Sequence, residues 1–339
     1  MRVWSKKTSL IAALFYMLCL VSLSACGAEP CDSTESDSET NLLQVGFVQV
    51  GSESDWRVAN SESIKKTLTQ ENGYELFFYD AKQKQENQIQ AIRNFILQEM
   101  DYIILAPVVE DGWDEVLEEA KEAGIPVIII DRKVNVKDDR LYTAWIGSDM
   151  GREAECATTW LDSYLESQGR EEDEIHIVDI QGTLNSTAQI GRTRGLENAV
   201  AEHSNWKIIA QETADFTKAK AYEVMLNILK QTQDIQVVYC ENDNEAFGVT
   251  EALEEAGISY GAGGQVIVIS FDATKAGLEY CLSGKINLDI ECNPLQGPRV
   301  DKVIRAIETG YPYGKEAYVN ETFFAYDTLT QAVIDERAY

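Results

Sequence analysis

The amino-acid sequence predicts an α/β fold built from two similar, doubly wound parallel-sheet lobes. Short runs of apolar and β-branched residues alternate with amphipathic stretches of helical length, which is the pattern of right-handed βαβ units. The pattern begins near Asn41 and starts again after Asp149. Leu117–Asp131 also resembles Leu253–Asp272, because each segment combines a helix, a glycine stop and a strand that ends in aspartate. The chain is therefore expected to contain the same α/β unit twice.

The first predicted lobe consists of four strands with amphipathic helices between them. The strands are QVGFVQV, YELFFY, YIILAP and PVIIID. A helix that extends to about Gln70 follows the first strand, and two further helices cover ENQIQAIRNFILQE and WDEVLEEAKEAG. Because each connection is long enough for a helical crossover, these strands are expected to be parallel.

The second predicted lobe repeats this arrangement. Its strands are EIHIVDI, WKIIAQ, QVVYC, QVIVIS and INLDIEC, and its helices lie near Gln189–Ala201, after Lys218 and after Glu245. In open α/β sheets a ligand binds at the carboxyl ends of the parallel strands. Residues that follow these strands are therefore the first candidates for a binding site.

The N-terminal segment has the features of a secretory signal rather than of a folded element. Arg2, Lys6 and Lys7 precede the apolar stretch SLIAALFYMLCLVSLSAC, whose LSAC end resembles the lipobox of bacterial lipoproteins. Residues 1–25 are expected to be removed and Cys26 to carry lipid, although an uncleaved membrane anchor is the alternative. Residues 26–41 are rich in Ser, Thr, Asp and Glu and predict a flexible acidic tether.

Charge and missing motifs exclude several functions. The formal net charge is −28, which disfavours nucleic acid as a partner. No phosphate-binding, nucleophile-elbow or zinc-protease motif is present, and His176 and His203 lack metal-ligand spacing. The sequence therefore predicts neither an enzyme nor a bound cofactor or metal.

The cysteines beyond the N-terminal segment show no paired spacing that would indicate zinc or redox chemistry. Most of these four residues, Cys156, Cys240, Cys281 and Cys292, are interpreted as small buried hydrophobic residues. A disulfide between Cys281 and Cys292 is left open.

Planar polar groups and aromatic rings gather at the predicted strand ends. Carboxylates, amides and guanidinium groups bind neighbouring hydroxyls, and aromatic faces cover the C–H patches of a sugar ring. Asp131 and Asp272 have the alternative role of helix N-caps, and Trp56 that of a packing residue at a helix start. The candidate ligand-binding residues are Trp56, Arg57, Asp131, Arg132, Arg192, Phe216, Asn242, Asp243, Phe271, Asp272 and Glu291.

The positive and negative charges within this set are equal in number. Such a balance is expected of a buried site, because buried charges have to be compensated among themselves. The arginines Arg57, Arg132 and Arg192 are matched by the carboxylates Asp131, Asp272 and Glu291. A balanced site suits a neutral ligand better than an amino acid, a phosphate or a polyamine.

Linked motifs from about Leu42 to the C-terminus give the chain a family resemblance. GFVQVGSESDWR, DAKQKQENQIQAIRNFI, DIQGTLNSTAQIGRTRG, NDNEAFG and SFDAT are similar to motifs of the periplasmic sugar-binding proteins of the ribose-binding type (type I periplasmic binding proteins). Within that family the resemblance is closest to the galactofuranose-binding members that serve ABC importers. It implies two lobes, joined by three crossing segments, that close around a sugar.

The resemblance also assigns residues by motif position. Glu291 stands where the ribose proteins use an amide, and Trp56 with Arg57 replaces their pair of phenylalanines, which favours a hexose or hexofuranose over ribose. The residues that it implies on the ligand are Asp131, Arg132, Arg192, Phe216, Asn242 and Asp272.

The expected lobes are residues 42–149 with about 294–318, and residues 150–293 with about 319–339. Candidate hinge segments are Ser148–Gly151, Glu291–Pro294 and Val319–Thr322, where the chain passes between the two strand–helix sets. The expected function is capture of a neutral monosaccharide by a monomer, lipid-anchored to the outer face of the cell membrane, for the permease of an ABC importer. The alternative is a sugar sensor that presents its liganded form to a histidine kinase or chemoreceptor.

Overall fold

The computed structural model describes residues 42–339, and the predicted signal peptide, acidic tether and Cys26 lie outside the described residues. Strand formation follows the apolar runs of the sequence. The strands are β1 (Leu43–Gln49), β2 (Tyr74–Asp80), β3 (Tyr102–Leu105), β4 (Val127–Ile130), β5 (Ala144–Gly147), β6 (Ile175–Gln181), β7 (Trp206–Thr213), β8 (Val237–Cys240), β9 (Ile267–Asp272), β10 (Leu288–Glu291), β11 (Glu316–Tyr318) and β12 (Phe323–Ala325).

The helices alternate with these strands, and five of those in the described residues begin at a capping side chain. Ser54, Asp149, Ser186, Asn242 and Thr274 each cap a helix by accepting a hydrogen bond from a backbone N–H in its first turn. The helices are α1 (Asp55–Thr67), α2 (Gln85–Leu97), α3 (Asp114–Glu122), α4 (Met150–Ser167), α5 (Thr187–Glu202), α6 (Lys218–Leu229), α7 (Asp243–Glu255), α8 (Lys275–Leu282), α9 (Gly297–Thr309) and α10 (Gln331–Glu336).

The strands form two six-stranded sheets, in the orders β11-β5-β4-β3-β1-β2 and β12-β10-β9-β8-β6-β7. Every pair in the first sheet is parallel, and in the second sheet only the pair β10–β12 is antiparallel. Buried apolar clusters cover both faces of each sheet. The prediction of two α/β lobes with parallel sheets is therefore confirmed. The sequence patterns did not reveal β5, β11 and β12, which have only three or four residues each.

The chain passes between the two sheets three times. The first crossing segment, Ser148–Asp149, joins β5 to α4. The second, Cys292–Gln296, joins β10 to α9, which packs against α1. The third, Val319–Thr322, joins β11 to β12. These three segments lie side by side where a rotation of one lobe against the other would have to be absorbed.

Two further features of the described residues bear on the sequence analysis. None of the helices within residues 42–339 is long and apolar enough to cross a membrane. Cys281 and Cys292 are both free, so the disulfide that the sequence left open is absent between them.

Candidate functional site

A small cavity with a volume of about 30 Å³ lies between the carboxyl ends of the two sheets. Both sheets contribute, because Asp131 directly follows β4 and Asp272 ends β9. The lining residues are Glu53, Ser54, Trp56, Arg57, Asp131, Arg132, Met150, Ala188, Arg192, Phe216, Asn242, Asp272 and Cys292.

The first lobe supplies a buried network of two arginines and two carboxylates. Arg57 Nη2 lies 2.7 Å from Asp131 Oδ2, and Arg57 Nε donates to Glu53 Oε1 at 2.9 Å. Arg132 Nη1 donates to the Val108 carbonyl at 2.8 Å, and its Nη2 lies 3.8 Å from Glu53 Oε1. These contacts fix the guanidinium planes before any ligand enters, so little side-chain entropy remains to be lost on binding.

Burial and neighbouring charges shift the pKa values of the two arginines in opposite directions. Burial alone would lower the pKa of Arg57, but the charges of Asp131 and Glu53 raise it above its ordinary value. For Arg132, burial together with the positive charge of Arg57 lowers the pKa to about 10. Both remain cationic at neutral pH, and Arg132 is the less well compensated of the two.

The second lobe contributes Arg192, Asp272 and Asn242. Arg192 donates through Nε to Glu153 Oε2 at 2.9 Å, and its Nη2 lies 2.8 Å from the same oxygen and 3.9 Å from Asp272 Oδ1. Burial raises the pKa of Asp272 well above its ordinary value, although Arg192 acts in the opposite direction. Glu153 pairs with Arg192 but does not line the cavity itself, so the second lobe presents the Arg192 guanidinium as a cation to the cavity.

Aromatic and other apolar side chains form the remaining wall. Trp56, Met150, Ala188, Phe216 and Cys292 form one buried cluster that includes residues of both lobes. The guanidinium carbon of Arg57 lies 4.7 Å from the centre of the Trp56 ring, and that of Arg132 lies 5.3 Å from the centre of the Phe216 ring. The cavity therefore combines hydrogen-bonding edges with aromatic faces.

Phe216 keeps its position through unusual backbone geometry. Its φ is +62°, in the left-handed region that side chains seldom adopt. A Cβ at Gly182 would lie 1.9 Å from Phe216 Cζ, so only glycine leaves room for the ring. The Phe216 N–H donates to Glu245 Oε1 at 2.8 Å, which holds the turn.

Besides Asp131 Oδ2, which is ion-paired with Arg57, two buried polar atoms of the cavity residues have no hydrogen-bond partner within residues 42–339, namely Glu53 Oε2 and Arg132 Nε. Leaving such groups unpaired is unfavourable by about 1–3 kcal/mol each. One is an acceptor and the other a donor, and a hydroxyl group can satisfy either kind. The cavity is thus suited to a ligand that carries several hydroxyls.

Direct hydrogen bonds join the lobes around the cavity. The Lys133 N–H donates to Thr187 Oγ1 at 2.8 Å, and the Thr187 hydroxyl donates back to the Lys133 carbonyl at 3.3 Å. The Glu110 N–H donates to the Asn185 carbonyl at 3.0 Å, also from the first lobe to the second. The structure is therefore that of a closed cleft.

Comparison with known proteins gives this arrangement a family. Residues 45–292 match the family model described as a periplasmic binding protein domain. The chain belongs to the periplasmic binding protein family. It is therefore a solute-binding protein rather than an enzyme, and the resemblance seen in the sequence is confirmed.

Individual relatives of this periplasmic binding protein cover most of its length. The galactofuranose-binding protein YtfQ of Escherichia coli K12 is 36% identical, over 85% of this chain and 90% of that protein. A Mycobacterium smegmatis protein, solved in complex with β-D-fucofuranose, is 39% identical with a TM-score of 0.80, over 84% of this chain and 92% of that one. The arabinose-transporter binding protein of Shewanella sp. ANA-3, bound to α- and β-L-arabinofuranose, is 38% identical with a TM-score of 0.80, over 87% of this chain and 95% of that one.

The structure brings together most of the residues that the sequence singled out. Asn242 both lines the cavity and caps α7, and its Oδ1 accepts from the Glu245 N–H at 2.8 Å. The predicted residues that line the cavity of this periplasmic binding protein are Trp56, Arg57, Asp131, Arg132, Arg192, Phe216, Asn242 and Asp272.

Asp243 and Phe271, by contrast, do not line the cavity. The Asp243 carboxylate accepts from Ser270 Oγ at 2.7 Å and from the Thr274 N–H at 2.9 Å, so it joins α7 to the end of β9. Phe271 points to the opposite face of the sheet from Asp272, since successive strand residues alternate. Its ring lies 4.8 Å from the Arg192 guanidinium carbon and supports that side chain from behind.

Glu291 also lies outside the cavity. Its Oε1 accepts from Arg337 Nη1 at 2.7 Å and from the Tyr339 hydroxyl at 2.8 Å, near the C-terminus of the chain. Glu53 takes the place that the sequence analysis gave to Glu291 in the charge balance. The cavity is lined by Arg57, Arg132 and Arg192 and by Glu53, Asp131 and Asp272.

Several cavity residues were missed in the sequence. Glu53 and Ser54 belong to GSESDWR, the stretch that contains Trp56 and Arg57, and their position after β1 was the available signal. Met150 and Cys292 line the cavity from the crossing region, and nothing in their local sequence indicates a ligand.

Proposed function

We propose that this protein captures a neutral monosaccharide in its furanose form and delivers it to an ABC importer. The observation that carries the proposal is the closed cavity with three arginines and three carboxylates on its wall. A ligand with a net charge would disturb this balance in a site from which water is excluded. Hydroxyl groups satisfy the charged edges, and Trp56 with Phe216 covers the apolar faces of the ring.

The furanose form is favoured by what relatives bind. The three relatives described above are named for galactofuranose or were solved with fucofuranose or arabinofuranose. The sequence identities of 36–39% over at least 84% of the chain make a shared ligand class the simplest expectation.

The cellular setting follows from the N-terminal segment. The LSAC sequence before Gly27 supports lipidation at Cys26, and residues 26–41 would then tether the folded part to the outer face of the membrane. A monomeric protein on such a tether can present the closed lobes to a permease. Mass analysis of the mature chain should give a diacylated Cys26 at the N-terminus, and an unmodified terminus elsewhere would contradict the anchor.

The ligand is tested by thermal shift followed by calorimetry. The panel contains L-arabinose, D-fucose, D-galactose and D-ribose, with galactose 1-phosphate, glutamate and spermidine as charged controls. A neutral sugar that binds only the folded state raises the melting temperature. Tight binding of a charged control without any neutral sugar would overturn the proposal.

The ring form needs its own measurement. The ¹³C spectrum of a labelled sugar bound to the protein distinguishes furanose from pyranose through the anomeric shift. We expect the bound signal at the furanose position, even where the free sugar is mainly pyranose. A bound pyranose signal would keep the sugar-binding function and remove the furanose preference.

A further inference from the structure

A single carboxylate joins all three crossing segments. Glu321 lies on the third segment, and its Oε1 accepts from Ser148 Oγ of the first segment at 2.5 Å. The same oxygen accepts from the Asn293 N–H of the second segment at 2.7 Å. Any rotation between the lobes changes the relative positions of these segments, so this carboxylate is connected to the motion at every point where the chain crosses.

The same contacts connect Glu321 to the cavity. Ser148 Oγ also lies 3.4 Å from Cys292 Sγ, and Cys292 lines the cavity. The Cys292 carbonyl accepts from Trp56 Nε1 at 2.5 Å. The carboxylate is therefore separated from the aromatic wall of the binding site by only two intervening residues.

The surroundings disfavour a negative charge on Glu321. Burial raises its pKa to about 8, and the nearby charge of Glu153 raises it as well. Ser148 and Asn293 as donors and the more distant Arg192 act in the opposite direction. Because Arg192 is already bound to Glu153, its charge is only partly available to Glu321.

Other charged groups face Glu321 across a groove on the outer side of the crossing segments. This groove has a volume of about 450 Å³, and Glu321 lines it together with Asp149, Arg152, Glu153 and Glu291. Glu291 is paired with Arg337, so Arg152 is the cation of the groove that is left to offset Asp149. Glu321 lies on the wall of this groove and is only partly buried, so protons can reach its carboxyl group while the cleft is closed.

We propose that Glu321 is a positioning residue for ligand capture, which holds the three crossing segments in the closed arrangement while protonated and loosens them when it loses the proton. The part of this inference that concerns ligand affinity rests on the proposed function. The part that concerns closure applies to the protein alone.

The direction of the pH effect follows from linkage. The closed form binds the proton with a pKa of about 8, whereas an open hinge lets water reach the carboxyl group and returns the pKa towards its ordinary value of 4.5. Closure is then fully supported below the ordinary value and weakens as the pH rises towards about 8, beyond which it levels off. The binding constant for the ligand should fall over the same interval.

The test compares the wild type with Glu321→Gln and Glu321→Ala, and uses Glu155→Gln on the exposed face of α4 as the matched control. Closure is measured without ligand from the rate at which maleimide labels Cys292, resolved by peptide mass analysis and normalised to the unfolded chain at each pH. Affinity is measured by calorimetry with the neutral sugar that gives the largest thermal shift.

We expect normalised labelling of the wild type to rise by roughly ten- to fiftyfold between about pH 6 and about pH 8, and the affinity to fall by the factor by which the closed fraction falls. Glutamine keeps both hydrogen bonds without a charge, so Glu321→Gln should hold labelling and affinity nearly constant, while Glu155→Gln follows the wild type. Glu321→Ala should label fast at both pH values. If Glu321→Ala does not fold, the pH responses of Glu321→Gln and the wild type still test the inference.

An equal pH response in Glu321→Gln and the wild type would overturn the inference. The two proposals fail separately, because labelling of Cys292 requires no sugar. Absence of binding to every neutral sugar, with the expected labelling, would contradict the proposed function and leave the hinge inference standing.

Discussion

The indole N–H of Trp56 donates a 2.5 Å hydrogen bond to the carbonyl oxygen of Cys292, which joins the first lobe's aromatic face to the second crossing segment. Trp56 is only 4% exposed, and its ring packs in the same cluster as Phe216 from the other lobe. One residue therefore takes part in the ligand wall, in the contact between lobes and in the hinge.

Substitutions at Trp56 separate these roles. Trp56→Ala removes the stacking face and should weaken ligand binding by about 1–3 kcal/mol, the range for a buried aromatic contact. Trp56→Phe keeps a ring but loses the hydrogen bond to Cys292, so we expect a smaller loss of about 1 kcal/mol. Calorimetry measures both, and wild-type affinity in Trp56→Ala would return this residue to a packing role at the start of α1.

The contact between Thr187 and Lys133 should stabilise the closed cleft. Thr187→Val keeps the shape of the side chain but removes both hydrogen bonds between its hydroxyl and the Lys133 backbone. We expect the closed form to lose about 0.5–1.5 kcal/mol per bond. Small-angle scattering should then give a larger radius of gyration without ligand.

Thr183→Val is the matched control for this experiment, because the Thr183 hydroxyl makes no side-chain hydrogen bond within the described part of the chain. Its scattering should equal that of the wild type. Equal radii for Thr187→Val and the wild type would show that this pair does not contribute to closure.

Burial of carboxyl groups makes the stability of the second lobe depend on pH. Burial raises the pKa of Asp179 to about 7, and Asp179 lies in the middle of β6. A carboxyl group with a raised pKa in the folded state supports folding fully below its unfolded pKa and loses that support as the pH rises towards about 7. The free energy of unfolding should thus be higher at about pH 5 than at about pH 8.

Asp179→Asn removes this titration while keeping the side-chain shape. Urea unfolding should show the variant to be more stable than the wild type at about pH 8, by up to about 4 kcal/mol, and to depend less on pH. Asp139→Asn, at an exposed site of the first lobe, should retain the wild-type pH profile. A variant that is destabilised equally at both pH values would mean that Asp179 is ionised in the folded protein.

Much of the fold and of the site could be predicted because both follow from short-range patterns. Apolar runs define the long strands, and the carboxyl ends of parallel strands meet at one edge, which brings Asp131, Asn242 and Asp272 together. The three-residue strands β11 and β12 carry too few residues for a periodic signal, and β5 contains one β-branched residue where the equally long β4 contains four.

What could not be predicted depends on partners that are distant in sequence. Glu291 follows the strand-end rule, but its carboxylate is bound by Arg337 and Tyr339, 46 and 48 residues away. Glu53 was missed because its role depends on the path of a loop, which places its carboxylate against Arg57 and near Arg132. Local sequence determines which residues reach the edge of the sheet, and tertiary contacts determine which of them face the cavity.

The close approach of Gly182 to Phe216 gives a final prediction. Gly182→Ala places a Cβ 1.9 Å from Phe216 Cζ, a distance at which one of the two has to move. Phe216 is held at φ +62° by the hydrogen bond from its N–H to Glu245, so its ring rather than its backbone should shift, into the cavity. Such a shift narrows the cavity that Phe216 lines and should lower ligand affinity more than tenfold, while overpacking destabilises the fold by about 1–3 kcal/mol. Gly151→Ala is the control, because its nearest neighbour is 3.6 Å away and the residue lies in the first turn of α4. Calorimetry and urea unfolding of both variants decide the matter: unchanged affinity in Gly182→Ala would mean that the ring of Phe216 can move without affecting the ligand, and that it is not part of the binding wall.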